Sequence, residues 1–352
     1  MKVQETLQAS FLFSELYEKV RIFVSSDFPT DPRAVPSESW LPGPVEQKAL
    51  AAVEAPSPRR AWALPVILFL ATAISTTYAG LFYVRGDLGF VGMAFELAAH
   101  PAFFLKGIPF SFTLMAILLA HEMGHFIACR YYGIACTPPY FIPLPISIVG
   151  TMGAFIRIKS PFQHKKALFD VGVAGPLAGF VFVVPALVIG IATSSLIPKT
   201  GGGSGNIYFG EPLIFRLVGA AVLGYVPETQ DMIASPMAMA AWFGLLATSL
   251  NLFPIWQLDG GHIAYAILGR EQQKKLSTTA TALLMLVSLA GWPIPSYFLF
   301  ACMVLFFGLR YRFYHPPTLS EQEEVGSGRV VLGLVALLIL ILSFTPIPIT
   351  IK

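Results

Sequence analysis

Residues 116–133 read AILLAHEMGHFIACRYYG. Two histidines, a glutamate and an arginine interrupt a run of Ala, Ile, Leu and Phe, and the reading of this stretch decides the fold. In HEMGH, His121 and His125 are four residues apart. On a helix they share one face and can hold one metal through imidazole nitrogens. Glu122 sits beside them, placed to take a proton from an attacking water and to pass it on later. The alternative is structural: two core histidines and a surface glutamate. That alternative is weak in an apolar helix, where ionisable groups are costly and need a compensating partner, which a divalent cation supplies.

The rest of the chain is as apolar as this segment. Its 352 residues are 55% hydrophobic and 12% charged, with mean hydropathy +0.68. Soluble domains carry roughly 25% charged residues, so the composition excludes a large soluble enzyme and implies a lipid bilayer as the surroundings. The net charge of +3 comes without a Lys/Arg block, so no nucleic-acid partner is expected. Cys129, Cys136 and Cys302 form no paired framework. Polar and acidic residues interrupt the first 20 positions, so the expected insertion signal is a spanning segment rather than a leader.

Hydropathy and breakers divide the chain into a tail or linker over residues 1–60 and a polytopic membrane domain over residues 61–350. Residues 1–58 hold eight acids, five bases and seven prolines, and LQASFLFSELYEKVRIFV within them suits a short amphipathic helix. Spans are expected near 61–84, 109–132, 168–195, 236–256 (running on through LDGGHIAYAIL), 276–291, 295–310 and 329–347, each near the ~20 residues that cross a bilayer core. Residues 86–108 suit a re-entrant or interfacial segment, and 196–235 a connection with a short helix at 212–226. The prolines and glycines of CTPPYFIPLPISIVGTMGAFIRIKSP, 136–161, forbid a regular helix, and AFIRIKS alternates like a strand. Irregular backbone at membrane depth survives only beside protein or a cavity. The expected fold is therefore an all-α polytopic membrane protein of about six to eight transmembrane helices, with a re-entrant loop or β-hairpin near the active site. Arg59, Arg60, Arg130, Arg157, Lys159, Lys165, Lys166, Arg270, Lys274, Lys275, Arg310 and Arg312 then fall on one side of a multi-pass integral membrane protein. The positive-inside rule makes that side, and the N-terminus with it, cytoplasmic.

A catalytic zinc site wants a third protein ligand and an open position. The extended HExxHxxGxxH pattern is absent, because Ala128 and Tyr131 occupy its later positions. Cys129 follows His125 by four residues, but three ligands on one straight helix strain a tetrahedron. Asp259, in NLFPIWQLDGGH at 251–262, lies on the fourth span at the same depth as the histidines, where Pro254, Gly260 and Gly261 break helix regularity. Its alternative role is the N-cap of the helix GGHIAYAIL. Asp170, which suits pairing with a lysine, and His262 are the rival donors.

HEMGH in one span and NLFPIWQLDG in a later one, with AGPLAGF at 174–180 between them, resemble the site-2 protease family of intramembrane zinc metalloproteases. The resemblance covers roughly residues 108–270, and PYFIPLP…GAFIRIK is closest to a branch without a PDZ domain that includes cyanobacterial and plastid members. It implies a bundle of six or more spans and a Zn2+ held by His121, His125 and Asp259, with Glu122 as catalytic base. It also implies that Asn251 meets the substrate backbone or the developing oxyanion, where the alternative is a helix–helix hydrogen bond. The implied activity is endopeptidase cleavage within or near the transmembrane segments of membrane-spanning protein substrates, as in regulated intramembrane proteolysis. Residues 196–235 are too few for the PDZ domain of many relatives, and the C-terminal nucleotide-sensing domain of others is not expected here. A divalent-cation transporter and an inactive substrate-binding scaffold are the competing classes. A transporter would need a relay of polar sites across the membrane, and a scaffold would not need Glu122.

Overall fold

The computed structural model describes residues 58–199, 207–290 and 297–351. The expected tail and its amphipathic helix fall outside the described residues up to position 57, as does TGGGSGN.

Ten α-helices and six short strands follow in order among the described residues: α1 (Pro58–Gly80), α2 (Gly89–Ala99), α3 (Ile108–Tyr131), β1 (Tyr140–Pro143), β2 (Thr151–Phe155), α4 (Lys165–Ala192), β3 (Ser195–Pro198), β4 (Ile207–Phe209), α5 (Leu213–Leu223), β5 (Gln230–Ile233), α6 (Pro236–Leu252), α7 (Asp259–Leu268), α8 (Arg270–Ala290), α9 (Phe298–Arg310), α10 (Ser327–Ser343) and β6 (Ile349–Ile351). The segment read as re-entrant or interfacial is α2 flanked by 3₁₀ turns at Gly86–Leu88 and Pro101–Gly107. The 136–161 loop is an antiparallel hairpin with Tyr140 opposite Phe155 and Pro143 opposite Thr151. The strand ends at Phe155, short of the alternating run that suggested it.

Among the described residues, three segments are long and apolar enough to cross a membrane: Trp62–Tyr83, Pro101–Tyr131 and Lys165–Ala192. The later apolar helices α5, α6, α9 and α10 have 10–17 residues, and at 1.5 Å per residue even 17 reach only about 26 Å of a ~30 Å hydrocarbon core. The expected fourth span does not run through LDGGHIAYAIL. It stops at Leu252, and α7 starts afresh at Asp259. Pro254 has no amide for the helical ladder, and its ring crowds the carbonyl four residues back. α8 has 21 residues but opens with REQQKK, which no apolar core accepts. Two further antiparallel pairs, β3 with β5 and β4 with β6, were not expected from the sequence, so the described residues are mainly helical with three two-stranded sheets.

The centre of the bundle is the packing of α3, α4 and α6. Phe110, Leu114 and Ile117 of α3 meet Val183 and Leu187 of α4 and Trp242 and Leu245 of α6 in one buried cluster. α1 joins α3 through small polar groups, with Thr76 Oγ1 2.7 Å from Ser111 Oγ and the Ser111 hydroxyl donating to the Ala73 carbonyl. Such pairs let spanning helices approach without leaving polar atoms orphaned. The hairpin hangs from α1 and the 3₁₀ turn Leu81–Tyr83 that follows it: the Ser75 hydroxyl donates to the Gly150 carbonyl at 2.6 Å and the Tyr83 hydroxyl to the Ile148 carbonyl at 2.9 Å. Outward faces carry Leu70, Ile74, Phe112, Leu286, Leu299 and Leu334 in exposed positions, a rim suited to lipid rather than water.

The α3–α4 contact depends on Gly124. A Cβ there would meet the Ala174 carbonyl and lie 3.0 Å from the Ala178 Cβ. Gly124→Ala is expected to cost about 1–3 kcal/mol, the scale of overpacking, and to lower the melting temperature of the detergent-solubilised protein. Gly86→Ala, with nothing within 4 Å of its added carbon, is the matched control and should melt as wild type. Equal melting of the two variants would remove close α3–α4 approach as a stability determinant.

Candidate metal centre

His121 and His125 project from successive turns of α3 toward α4, and both are buried. The small residues of AGPLAGF make room for them. A Cβ at Gly175 would sit inside the His125 ring, and one at Gly179 would lie 3.2 Å from the His121 Cβ. In the same turn the Val171 carbonyl lies 2.7 Å from His125 Nδ1. A carbonyl only accepts, so Nδ1 carries the proton, and in the neutral ring Nε2 is left with its lone pair. Pro176 cannot donate to the Gly172 carbonyl, so the ladder lacks a bond in the turn that orients His125.

Asp259 arrives from the other side of the bundle. After α6, the turn at 253–258 is closed by Ile255 N donating to Phe253 O and Leu258 N donating to Ile255 O. Trp256 sits in it with φ of 44°, in the left-handed region that a bulky side chain rarely adopts. Its ring is stacked 5.5 Å from Phe307 and 4.9 Å from Tyr311, and its amide donates to Ser277 Oγ. Gly260 and Gly261 then pass so close to the carbonyls of Leu252, Phe253, Ile255 and Trp256 that neither position has space for a Cβ. The N-cap of α7 is Leu258, which makes no side-chain capping bond, and Asp259 is the first helical residue. The capping alternative for Asp259 therefore fails, and its carboxylate faces the histidines.

The three side chains meet. His121 Nε2 is 3.1 Å from His125 Nε2, and Asp259 Oδ2 is 3.3 Å from the first and 3.4 Å from the second. Asp259 Oδ2 is fully buried and has no hydrogen-bond partner. With His125 neutral, the contact of its Nε2 with Asp259 Oδ2 is one between two acceptors. Zinc bonds of about 2.0–2.1 Å in a tetrahedron separate neighbouring ligand atoms by about 3.3 Å. The spacing, the donor types and the orphaned carboxylate oxygen all fit a divalent cation. His121, His125 and Asp259 are the one such group among the described residues.

Glu122, also buried, lies against the backbone at Ile156, where the chain leaves β2. The Asn251 side-chain amide is 3.3 Å from His121 Nε2, at the rim of the cluster. The rival donors are engaged elsewhere. Cys129 packs with Ile134, Ala167 and Val171. Asp170 pairs not with a lysine but with Arg329 of α10, at 2.8 and 2.7 Å, and also accepts from the Tyr132 hydroxyl. His262 Nδ1 is 2.6 Å from His315 Nε2. Sequence reasoning missed the Val171 carbonyl and the Ile156 backbone, since any residue type supplies such groups. The glycines opposite the histidines were visible only as a small-residue motif.

The chain is 28% identical over 314 residues to "Probable zinc metalloprotease EGY1, chloroplastic" of Oryza sativa subsp. japonica, a match that covers 84% of this chain and 52% of that protein. It is 31% identical over 247 residues to "Probable zinc metalloprotease EGY2, chloroplastic" of Arabidopsis thaliana, covering 69% and 42%. It is 26% identical over 258 residues to "Probable zinc metallopeptidase EGY3, chloroplastic" of the same plant, covering 68% and 43%. The chain thus spans about half the length of these relatives, or less. The profile of Peptidase family M50 matches residues 109–292, just over half of the chain. Both halves of the donor cluster, and the glycine-lined helix between them, lie within that match, and the chain belongs to peptidase family M50.

Proposed function

We propose that the chain is an intramembrane zinc metalloendopeptidase that hydrolyses peptide bonds within or near the membrane-spanning segments of protein substrates. The observation that carries this reading is the convergence of His121, His125 and Asp259 at 3.1–3.4 Å around a buried carboxylate oxygen without a proton donor. The names of the relatives and the family match support it. In this reading His121, His125 and Asp259 hold the zinc, which supplies Lewis acidity to the scissile carbonyl and to water. Glu122 takes a proton from the attacking water and returns it to the departing amide nitrogen as the C–N bond breaks. Asn251 turns its amide toward the same locus and orients the carbonyl oxygen.

A spanning helix must unwind before its peptide bonds can be cut. β2 has β1 on one side and, among the described residues, no strand on the other. Its Met152 and Phe155 side chains are exposed, and it leads directly to the Glu122 contact. An unwound substrate adding as a strand to β2 would lie beside Glu122. The short helices α6, α9 and α10 complete a multi-pass bundle in this reading, α6 and α7 acting together as one interrupted crossing, with residues 1–58 on the cytoplasmic side.

Three measurements test the proposal. Thr30→Cys should react with a membrane-impermeant maleimide only from the cytoplasmic side, and labelling only from outside reverses the orientation. Glu122→Gln keeps both histidines, so the purified variant should bind zinc as wild type while cleavage of a membrane-spanning substrate falls at least ~10²-fold, the usual contribution of a general base. Near-normal cleavage takes Glu122 out of the mechanism. Asp259→Asn removes the charge and keeps the shape. It should stay folded but lose zinc and activity together, because two histidines on one helix leave the site short of a ligand. Cys129→Ala should keep full zinc. Asp170→Asn should keep zinc but melt earlier, since Arg329 loses its paired carboxylate. Zinc per protein, measured in detergent, decides; full zinc in Asp259→Asn would move the third ligand elsewhere.

A further inference from the structure

Beyond the residues matched to the family lies a strap, residues 311–326, that joins α9 to α10. It leaves α9 through two successive left-handed residues, Arg312 at φ 54° and Phe313 at φ 60°, which turn it back under α7. His315 is 3% exposed. Its Nδ1 lies 2.6 Å from the Pro316 carbonyl, so Nδ1 holds the proton and Nε2 is an acceptor. The partner of that acceptor is His262 Nδ1, at 2.6 Å, and the direction of the bond follows: His262 donates to His315. His262 is on the first turn of α7, three residues after Asp259, and its Cβ occupies the space that a side chain at Gly172 would need. One turn further on, the Tyr265 hydroxyl donates to Glu321 Oε1 at 2.5 Å. The Tyr265 ring lies 4.5 Å from that of His315.

The other face of the strap is tied to the start of α4. Leu319 N donates to Phe162 O and Ser320 N to Gln163 O. Lys165 Nζ is 3.1 Å from Glu321 Oε2, and Lys166 Nζ is 3.1 Å from Glu323 Oε2. Burial raises the proton affinity of Glu321, but the Tyr265 hydroxyl, the Lys165 ammonium and Thr318 outweigh it and hold the carboxyl below its ordinary range. Val325 closes the strap into a buried cluster with Phe169 and Val173 of α4 and Ile263 and Ala266 of α7. The strap therefore grips both the helix that begins with Asp259 and the helix whose Val171 carbonyl orients His125. α7 has only ten residues and no side-chain cap, so the strap's hydrogen bonds add to the Gly260–Gly261 backbone contacts and the packing of Ile263 and Ala266 in fixing its rotation about its own axis.

We infer that His315 is a positioning residue for the metal centre: through its hydrogen bond from His262 it sets the rotation of α7, and so the aim of the Asp259 carboxylate at His121 and His125. The inference rests on the metal reading of that cluster. Its test is the zinc dissociation constant of the full chain in detergent, measured by chelator competition, with the visible absorption of the Co2+-substituted protein as a readout of ligand geometry. His315→Leu keeps an apolar filler but removes the acceptor. It should weaken zinc about 10- to 100-fold, the usual cost of losing a group that orients a ligand, and alter the Co2+ spectrum. His315→Gln returns an acceptor near the Nε2 position and should restore both readouts to within about threefold of wild type. Wild-type affinity and spectrum in His315→Leu overturn the inference. So does a His315→Gln variant as weak as His315→Leu, which would show that ring packing matters and the hydrogen bond does not. If His315→Leu fails to fold, Glu321→Ala, which frees the strap from Tyr265 and Lys165, decides on the same readouts: about tenfold weaker zinc supports the clamp and unchanged zinc overturns it. Asp259→Asn, run alongside, separates the two claims. Zinc retained in that variant takes Asp259 out of the ligand set, and the premise of the inference with it, whereas zinc lost there and unaffected in His315→Leu sinks the clamp alone.

Discussion

A carboxylate oxygen with no proton donor, buried against two imidazole nitrogens, is the constraint on which the rest of the structure depends. In a low-dielectric interior an unpaired carboxylate is costly, and three acceptors facing one another at 3.1–3.4 Å add lone-pair repulsion to that cost. With His125 neutral and its N–H on the Val171 carbonyl, one proton on His121 does not satisfy all three atoms at once. A cation can. The protein therefore needs rigid walls that keep the acceptors converged. The Gly175 and Gly179 gaps, the stacked Trp256 turn and the tight backbone at Gly260 and Gly261 all serve that end.

The irregular backbone follows from the same requirement. A continuous helix through residues 236–268 would present successive turns of apolar side chains and no free approach for a carboxylate. Breaking it at Pro254 gives α7 its own start, and Asp259 stands at that start. The break leaves backbone groups to be satisfied away from water. The closing hydrogen bonds of the turn and the bond from Trp256 N to Ser277 Oγ satisfy them inside the protein. The hairpin at 140–155 obeys the same rule, its carbonyls at Gly150 and Ile148 taken by Ser75 and Tyr83.

What was legible in the sequence depended on the range of the physics. HEMGH was legible because a spacing of four is local geometry, and the hairpin because prolines and glycines act on their own neighbourhood. Asp259 was legible as a candidate by depth, but only the backbone at Leu258 excludes the capping role. The count of spans was less legible. Hydropathy does not mark the stop at Leu252, and the apolar stretch expected as a span at 276–291 is the later part of a helix that begins with the polar REQQKK. β4 and β6 were hidden for another reason: three-residue strands whose partners lie far apart in the chain, Ile207 opposite Ile351, have no local pattern to read. The Asp170 partner, Arg329, is equally distant in sequence. Carbonyls such as that of Val171 leave no trace in side-chain identity at all.

Tetrahedral geometry favours a third donor from a different helix. Cys129 continues the face of His121 and His125 along α3, yet a straight helix carries its ligands along a line, and a tetrahedron needs one of them off that line. The structure gives Cys129 to an apolar cluster with Ala167 and Val171 and brings Asp259 across from α7. A cation bound there links α3 to α7, with α4 packed against both. Binding energy for the metal is then also packing energy for three helices, as in other sites that exist only in the folded chain. Groups far from the cation that fix how α7 sits on α4 would then act on its affinity through the same packing.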